Sequence, residues 1–435
     1  MQTRSLAASI LSISLAVSLA AAGCSSDDGG SGSDDQTLVY WASNQGTSLE
    51  NDEEILTPEL EKFTEQTGVE VELEVISWDN LLNRILAATT SGEAPDVLNI
   101  GNTWSASLQA TGAFVPFDDA AYEDIGGEDK FLETSLTSTG AEGETPTSVP
   151  LYGLAYGLFY NKKVFADHGV QPPRTWTELM AAVDRFKSNG IIPFALAGGD
   201  SWTELVWPEY LVDRVGGAEV FNRIAAGEKD AWRDPAITKS IDMIRQLVDR
   251  GGFGDSYASV RWDGAGASTL IAQGKAAMHL MGSWEYTNQV TDQPEYAKND
   301  QGFIPFPTVE GGIGDPKAIV GNPTNYFSVS KDSKSVDAAI EFLKQEMSSD
   351  AYVEQWLTAG DVPAVTGLES KMDKAADPAF AKVVYDMVNE APTFQLSWDQ
   401  AIDRAQAQPM LDALAKVFLG QLDAAGFVKA NEDAA

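Results

Sequence analysis

The stretch TLVYWASNQGTSLENDEEILTPELEKFTEQTGVEVELEVISWDNLLNRILAATTSGEAPDVLNI, residues 37–100, sets the architecture of the chain. Thr37 to Ala42 is a short apolar strand. From Asn51 to Thr67 the apolar residues Ile55, Leu56, Leu60 and Phe63 recur at helical spacing, and Gly68 ends the run. Val69 to Ile76 alternates apolar and acidic residues strictly, the pattern of a half-buried strand. Trp78 to Thr90 is helical again, with Leu81, Leu82, Ile85 and Leu86 on one face, and Asp96 to Ile100 is a third strand. A β-α-β-α-β order predicts a largely parallel sheet with helices on its faces. Ligands of such sheets sit beyond the C-terminal ends of the strands. The residues there are Ser43–Gly46, Ser77–Asp79 and Gly101–Trp104, all polar loops and two of them carrying a Trp.

Downstream, a second unit starts near Val149. It has strands at Gly157 to Tyr160 and Ala276 to Met281. Its helices fall near 176–189, 202–215, 237–250 and 268–273. A third section from Ile319 has a strand at Tyr326 to Val329 and helices at 335–347 and 351–357. Further helices follow near 378–389 and 399–419. There is no internal repeat.

Upstream, LAASILSISLAVSLAAAGCSS reads as a secretion signal: Arg4 gives the positive start, Leu6 to Ala22 the apolar stretch, and small residues the cleavage site. It ends at Cys24, the only cysteine. A Cys in that place resembles a bacterial lipobox, with Ala21 where Leu is usual. Lipidation of Cys24 is expected, and the competing reading is a plain secretory signal. Two acyl chains on one residue anchor a protein without a membrane-spanning helix. Residues 1–23 are then the signal. Residues 24–36, mostly Gly, Ser and Asp, are a flexible tether.

Composition narrows the function classes. The formal charge is −36, which argues against nucleic acid, because phosphate binding needs clustered Lys and Arg. With Cys24 used for the anchor, no disulfide, zinc-thiolate site or cysteine nucleophile is expected. The two histidines, His168 at a helix end and His279 in an apolar strand, leave a Ser-His-Asp triad or a His-rich metal site almost without parts. No cofactor, metal or catalytic group is expected. By contrast there are 11 Trp and 12 Tyr, some of them beside Gly, Asn or Ser in loops.

Several stretches, in order behind the lipobox, resemble the extracellular solute-binding proteins of carbohydrate ABC importers, the family that includes maltodextrin-binding protein. They are APDVLNIG (94–101), YGLAYGLFYNKKVF (152–165), PPRTWTEL (172–179), GKAAMHLMGSW (274–284) and FQLSWDQA (394–401). The last is similar to the Gram-positive branch of lipoproteins that take up xylobiose, cellobiose or chitobiose. The resemblance implies a two-lobe α/β fold of the periplasmic-binding-protein type, with a hinge and an inter-lobe ligand cleft. It implies lobes of residues 37–152 plus 325–362 and 153–324 plus 363–430, with crossings near Tyr152, Asn322–Asn325 and Val362. It also implies a monomer that captures a short oligosaccharide for a membrane permease, with ATP hydrolysis on a separate subunit. This chain has no phosphate-binding Gly-rich loop of its own.

A pyranose has apolar faces and a hydroxyl rim, so indole or phenol walls and amide or carboxylate edges suit it. Carrying the family pattern across implies Trp284 as the first stacking candidate, unless it plugs the base of its lobe. Trp398 with Asp399, Trp202 with Glu204, Trp104 with Asn102, and Asn44 with Gln45 follow. Glu204 is either a hydroxyl partner or a capping carboxylate. Tyr152 and Asn322 are binding or hinge residues. Trp41, Trp176, Trp207 and Trp356 lie inside strand or helix patterns and read as core. Two rivals stay open: a lipid-anchored glycoside hydrolase using paired carboxylates, and the same fold holding another ligand such as a polyamine.

Overall fold

A computed structural model describes residues 37–44, 48–141, 143–262 and 264–435. Cys24, the signal, the tether and Gln45 lie outside them. The strands, in chain order, are β1 Thr37–Ser43, β2 Glu70–Ile76, β3 Val97–Gly101, β4 Val149–Gly153, β5 Tyr156–Asn161 and β6 Ile192–Ala195. They continue with β7 Ala276–Gly282, β8 Gln301–Ile304, β9 Ile319–Gly321, β10 Thr324–Val329, β11 Val362–Pro363 and β12 Phe394–Leu396.

Six strands form one sheet in the order β11-β4-β10-β3-β1-β2, four form another in the order β6-β7-β5-β8, and β12 and β9 form a two-stranded sheet of their own. The fold is α/β and two-lobed, with one sheet at the centre of each lobe. The β-α-β-α-β start is present as read: β1 pairs in parallel with both β2 and β3. The sheet as a whole is mixed rather than largely parallel. The chain re-enters it from the other lobe as β10, which runs antiparallel to β3 and to β4, with Asn325 opposite Gly101.

Local chemistry explains the elements. The Leu49–Thr67 helix begins where the Ser48 hydroxyl accepts the Asn51 amide at 3.1 Å, and ends at Gly68 with φ 76°, a conformation that favours glycine. It buries Leu56, Leu60 and Phe63, each worth about 1.5–3 kcal/mol. Phe63 meets Phe342 edge on at 5.4 Å. The C-terminal helix expected at 399–419 is two helices, Trp398–Ala401 and Arg404–Phe418. The second starts afresh because the Asp403 carboxylate accepts the Ala405 amide. No helix of the described residues is long and apolar enough to cross a membrane.

The sheets are joined by short links. Leu154 and Ala155 lead from β4 to β5, and Asn322 and Pro323 from β9 to β10. The two links lie side by side, since the Leu154 amide donates to the Pro323 carbonyl at 2.7 Å. After β11 the chain reaches the Pro378–Glu390 helix, which touches β4 and β11 on one side and β8 on the other. The last helices pack on the Trp202–Gly216 and Pro235–Asp249 helices of the four-stranded lobe.

Candidate functional site

The ends of β1 and β3 are locked from below. Asn99, fully buried in β3, accepts through Oδ1 from the Ser43 amide at 3.0 Å, from the Ser43 hydroxyl and from the Tyr40 hydroxyl. This leaves Asn44 and Asn102 just past the strand ends. Asn44 donates through Nδ2 to Asp52 at 2.5 Å. Asn102 opens the Asn102–Gln109 helix, and its amide points to Asn325 Oδ1 at 3.4 Å.

Asn102 then reaches across to the links. Its Nδ2 donates to Asn322 Oδ1 at 3.3 Å and to Gln400 Oε1 at 3.2 Å, while Gln400 Nε2 donates to Asn322 Oδ1 at 3.0 Å. Three amides from the six-stranded sheet, an inter-lobe link and the C-terminal region thus meet at one point. Asn325 extends the seam by donating to the Tyr152 hydroxyl. Burial and the charge of Asp361 push that phenol well above its usual range. Asp361 is buried, and burial together with the charge of Asp52 holds its carboxyl well above the carboxylate range.

Trp284 ends the loop after β7 on the other lobe. Ser283 clamps that loop: its amide donates to the Ala155 carbonyl at 2.9 Å. The Trp284 ring is half-buried and meets Tyr156 edge on, 5.0 Å away at 84°. Two glycines make room for this pair. A Cβ on Gly282 would stand 2.1 Å from the Trp284 ring, and one on Gly321 would stand 2.2 Å from the Tyr156 ring. Two carboxyls act on Tyr156, those of Glu209 and Asp399. Glu209 accepts from the Ser397 hydroxyl at 2.7 Å and the Trp398 amide at 2.8 Å, yet burial pushes its pKa up to about 8. Burial also raises Asp399, against hydrogen bonds from Ser397 and Gln400.

The remaining candidates lie apart from that seam or inside the core. Trp202 is half-buried and meets Trp262 edge on at 5.4 Å. Glu204, two residues on, is buried; its pKa is pushed up to about 8, and its charge reaches Tyr257. Trp104 stacks on Trp78 at 4.5 Å, a pair beyond the ends of β2 and β3. Trp398 does not offer a face. It is 1% exposed and packs edge on against Trp232 at 5.5 Å, enclosed by the C-terminal helices. Its neighbours Asp399 and Gln400 reach the seam in its place. Trp41, Trp176, Trp207 and Trp356 are buried, as is His279.

Tyr156, Gln400, Asn325 and Asp361 were not singled out by sequence. Tyr156 and Gln400 stand inside the motifs YGLAYG and SWDQA, four residues after Tyr152 and one after Asp399. Asn325 and Asp361 stand at strand edges beside the crossings, and only the fold brings them to Tyr152.

The family profile described as bacterial extracellular solute-binding protein matches residues 46–358. The chain belongs to this family. The Diacetylchitobiose binding protein DasA of Streptomyces coelicolor is 26% identical over 392 residues, 86% of this chain and 87% of that one. The Multiple sugar-binding protein of Streptococcus mutans is 26% identical over 297 residues, 66% of this chain and 67% of its own length. Among solved structures, one from work on xylan utilization by Caldanaerobius polysaccharolyticus superposes with a TM-score of 0.75 at 24% identity, covering 91% of this chain and 99% of that one. The two relatives from Streptomyces and Streptococcus are named as binding proteins.

Proposed function

We propose that this solute-binding protein is the capture subunit of an ABC importer for a short oligosaccharide. One observation carries the reading. Asn102, Asn322 and Gln400 bring three planar amides together beside the links, and the half-buried Trp284, backed by the buried Tyr156, offers an aromatic wall on the adjoining lobe. Planar amides and carboxylates pair with adjacent hydroxyls, and an indole covers a pyranose face. The relatives described as binding diacetylchitobiose and multiple sugars support the same ligand class.

The working site comprises Asn44, Asn102, Asn322, Gln400, Asp399, Tyr156 and Trp284, with Trp202, Glu204 and the Trp78–Trp104 pair as outer walls. The lobes are residues 37–152 with 325–362 and 153–324 with 363–430, and Tyr152 belongs to the hinge. Sugar bound to both lobes favours the closed form by its differential affinity alone. The permease then takes up the closed form. Lipid on Cys24 keeps a monomer at the outer face of the membrane. No bond of the ligand is broken.

A thermal-shift screen with xylobiose, cellobiose, diacetylchitobiose and maltose tests this. At least one sugar is expected to raise the melting temperature by mass action and to be recovered intact. Hydrolysis products from the pure protein would favour the glycosidase, and silence across the panel would contradict the reading.

A further inference from the structure

His279 is a buried titratable group for which the capture scheme above has no use. It stands in β7, 0% exposed, and neither ring nitrogen has a hydrogen-bond partner among the described residues. Its Nδ1 lies 3.6 Å from Oε1 of Glu285, which is equally buried. That oxygen is held in place by Gln289, whose Nε2 donates to it at 2.6 Å and to the Ser268 carbonyl at 3.0 Å. An imidazole donates through Nδ1 in its charged form and in one neutral tautomer. A shift of under about 1 Å turns the approach of His279 to Glu285 into a charge-assisted hydrogen bond.

What such a pair adds is direction rather than stability, because apolar residues in place of a buried polar pair are often as stable or more so. The direction here concerns one turn. His279 and Glu285 stand on either side of Gly282, Ser283 and Trp284, where β7 passes into the Glu285–Asp292 helix. Ser283 ties that turn to Ala155, its amide donating at 2.9 Å and its hydroxyl accepting at 3.4 Å. The His279–Glu285 pair ties the two ends of the turn to each other inside the lobe. The indole of Trp284 then has one seat, which Gly282 leaves open and Tyr156 backs. The imidazole has a second aromatic neighbour in Trp262, 6.3 Å away between ring centroids. Trp262 meets Trp202 at 5.4 Å, and Asp200 accepts its amide at 2.7 Å. His279 is thus the neighbour of both the Trp284 turn and the Trp202–Trp262 pair.

We infer that His279 and Glu285 are positioning residues for ligand capture, acting through Trp284 by fixing the turn that presents its ring. This rests on the reading of Trp284 as a wall of the oligosaccharide site and deepens it. Neither residue touches the sugar.

Calorimetry on the full chain, with the tightest-binding saccharide of the panel above, tests this as a cycle. His279→Leu keeps a bulky side chain and removes both nitrogens. It is expected to weaken binding at least about fivefold in the wild-type chain, and less than about twofold in a Trp284→Ala chain, where there is no indole left to position. His279→Asn places its amide donor where Nδ1 stood and should restore most of the affinity. If urea unfolding shows that His279→Leu does not fold, Glu285→Met enters the same cycle. An equal loss in both backgrounds makes the pair a structural one only, and no loss in the wild-type chain makes it idle. Either result overturns the inference and leaves the oligosaccharide reading intact. So does a His279→Asn chain that binds as weakly as His279→Leu, or a Trp284→Ala chain that binds as tightly as the wild type. No saccharide bound by the wild-type chain overturns both.

Discussion

At the scale of single residues, Trp284 and its support are the clearest lever. Trp284→Ala removes an aromatic wall of the proposed site, and an aromatic contact is worth about 0.5–1.5 kcal/mol beyond its buried area. Sugar affinity is expected to fall at least about tenfold, read by calorimetry. Gly282→Ala should do similar damage from a distance, because its Cβ would overlap the indole. Equal affinity in both variants would remove Trp284 from the site. A different residue tests the electrostatics. Glu346 is buried in the six-stranded lobe, away from the seam, with its pKa pushed up to about 8 by burial and by Glu59. The folded chain keeps that proton while the unfolded chain releases it near 4.5. The folded state thus binds more protons between those values, so stability falls as pH rises from about 4.5 to about 8. Glu209 and Glu204 act in the same direction. Glu346→Gln is expected to gain roughly 1–3 kcal/mol at pH 8 relative to pH 5, measured by urea unfolding at both. A pH-independent difference would contradict it.

At the scale of elements, the links between the sheets carry the argument. Gly321 closes β9 with φ +105°, and a Cβ there would strike the Tyr156 ring. Gly321→Ala should therefore cost about 1–3 kcal/mol and weaken sugar binding together with stability, seen as a lower urea midpoint and a higher Kd. A neutral outcome would show that the link tolerates movement. Much of the element order was legible in the sequence. The first three strands and their helices have clean periods, 2 for the strands and 3.6 for the helices, and start and stop signals at Ser48 and Gly68. Short strands such as β9, β11 and β12 carry too few residues to show a period. Their identity comes from partners distant in sequence, as when β12 pairs with β9. The direction of β10 was equally hidden, since parallel and antiparallel strands share one apolar pattern. Trp398 shows the limit at the site. A Trp after Ser at a strand end reads as a binding plate, but the last helices close over it, and the acidic and amide neighbours reach the seam.

At the scale of the whole molecule, two lobes form a pair of jaws, with one link running from the six-stranded to the four-stranded sheet and another, beside it, from the short β12-β9 sheet back to the six-stranded one, and the amide cluster lies at those links. Solution scattering at saturating ligand is expected to show a radius of gyration no larger than that of the free protein, and smaller if the free form samples an open state. An increase would contradict closure. The most direct measurement is a crystal structure of the protein with the tightest-binding saccharide. The sugar should lie against Trp284 and hydrogen-bond both to Asn102 from one lobe and to Asp399 or Gln400 from the other. A sugar held by one lobe alone, or bound away from Asn102 and Trp284, would contradict the whole scheme.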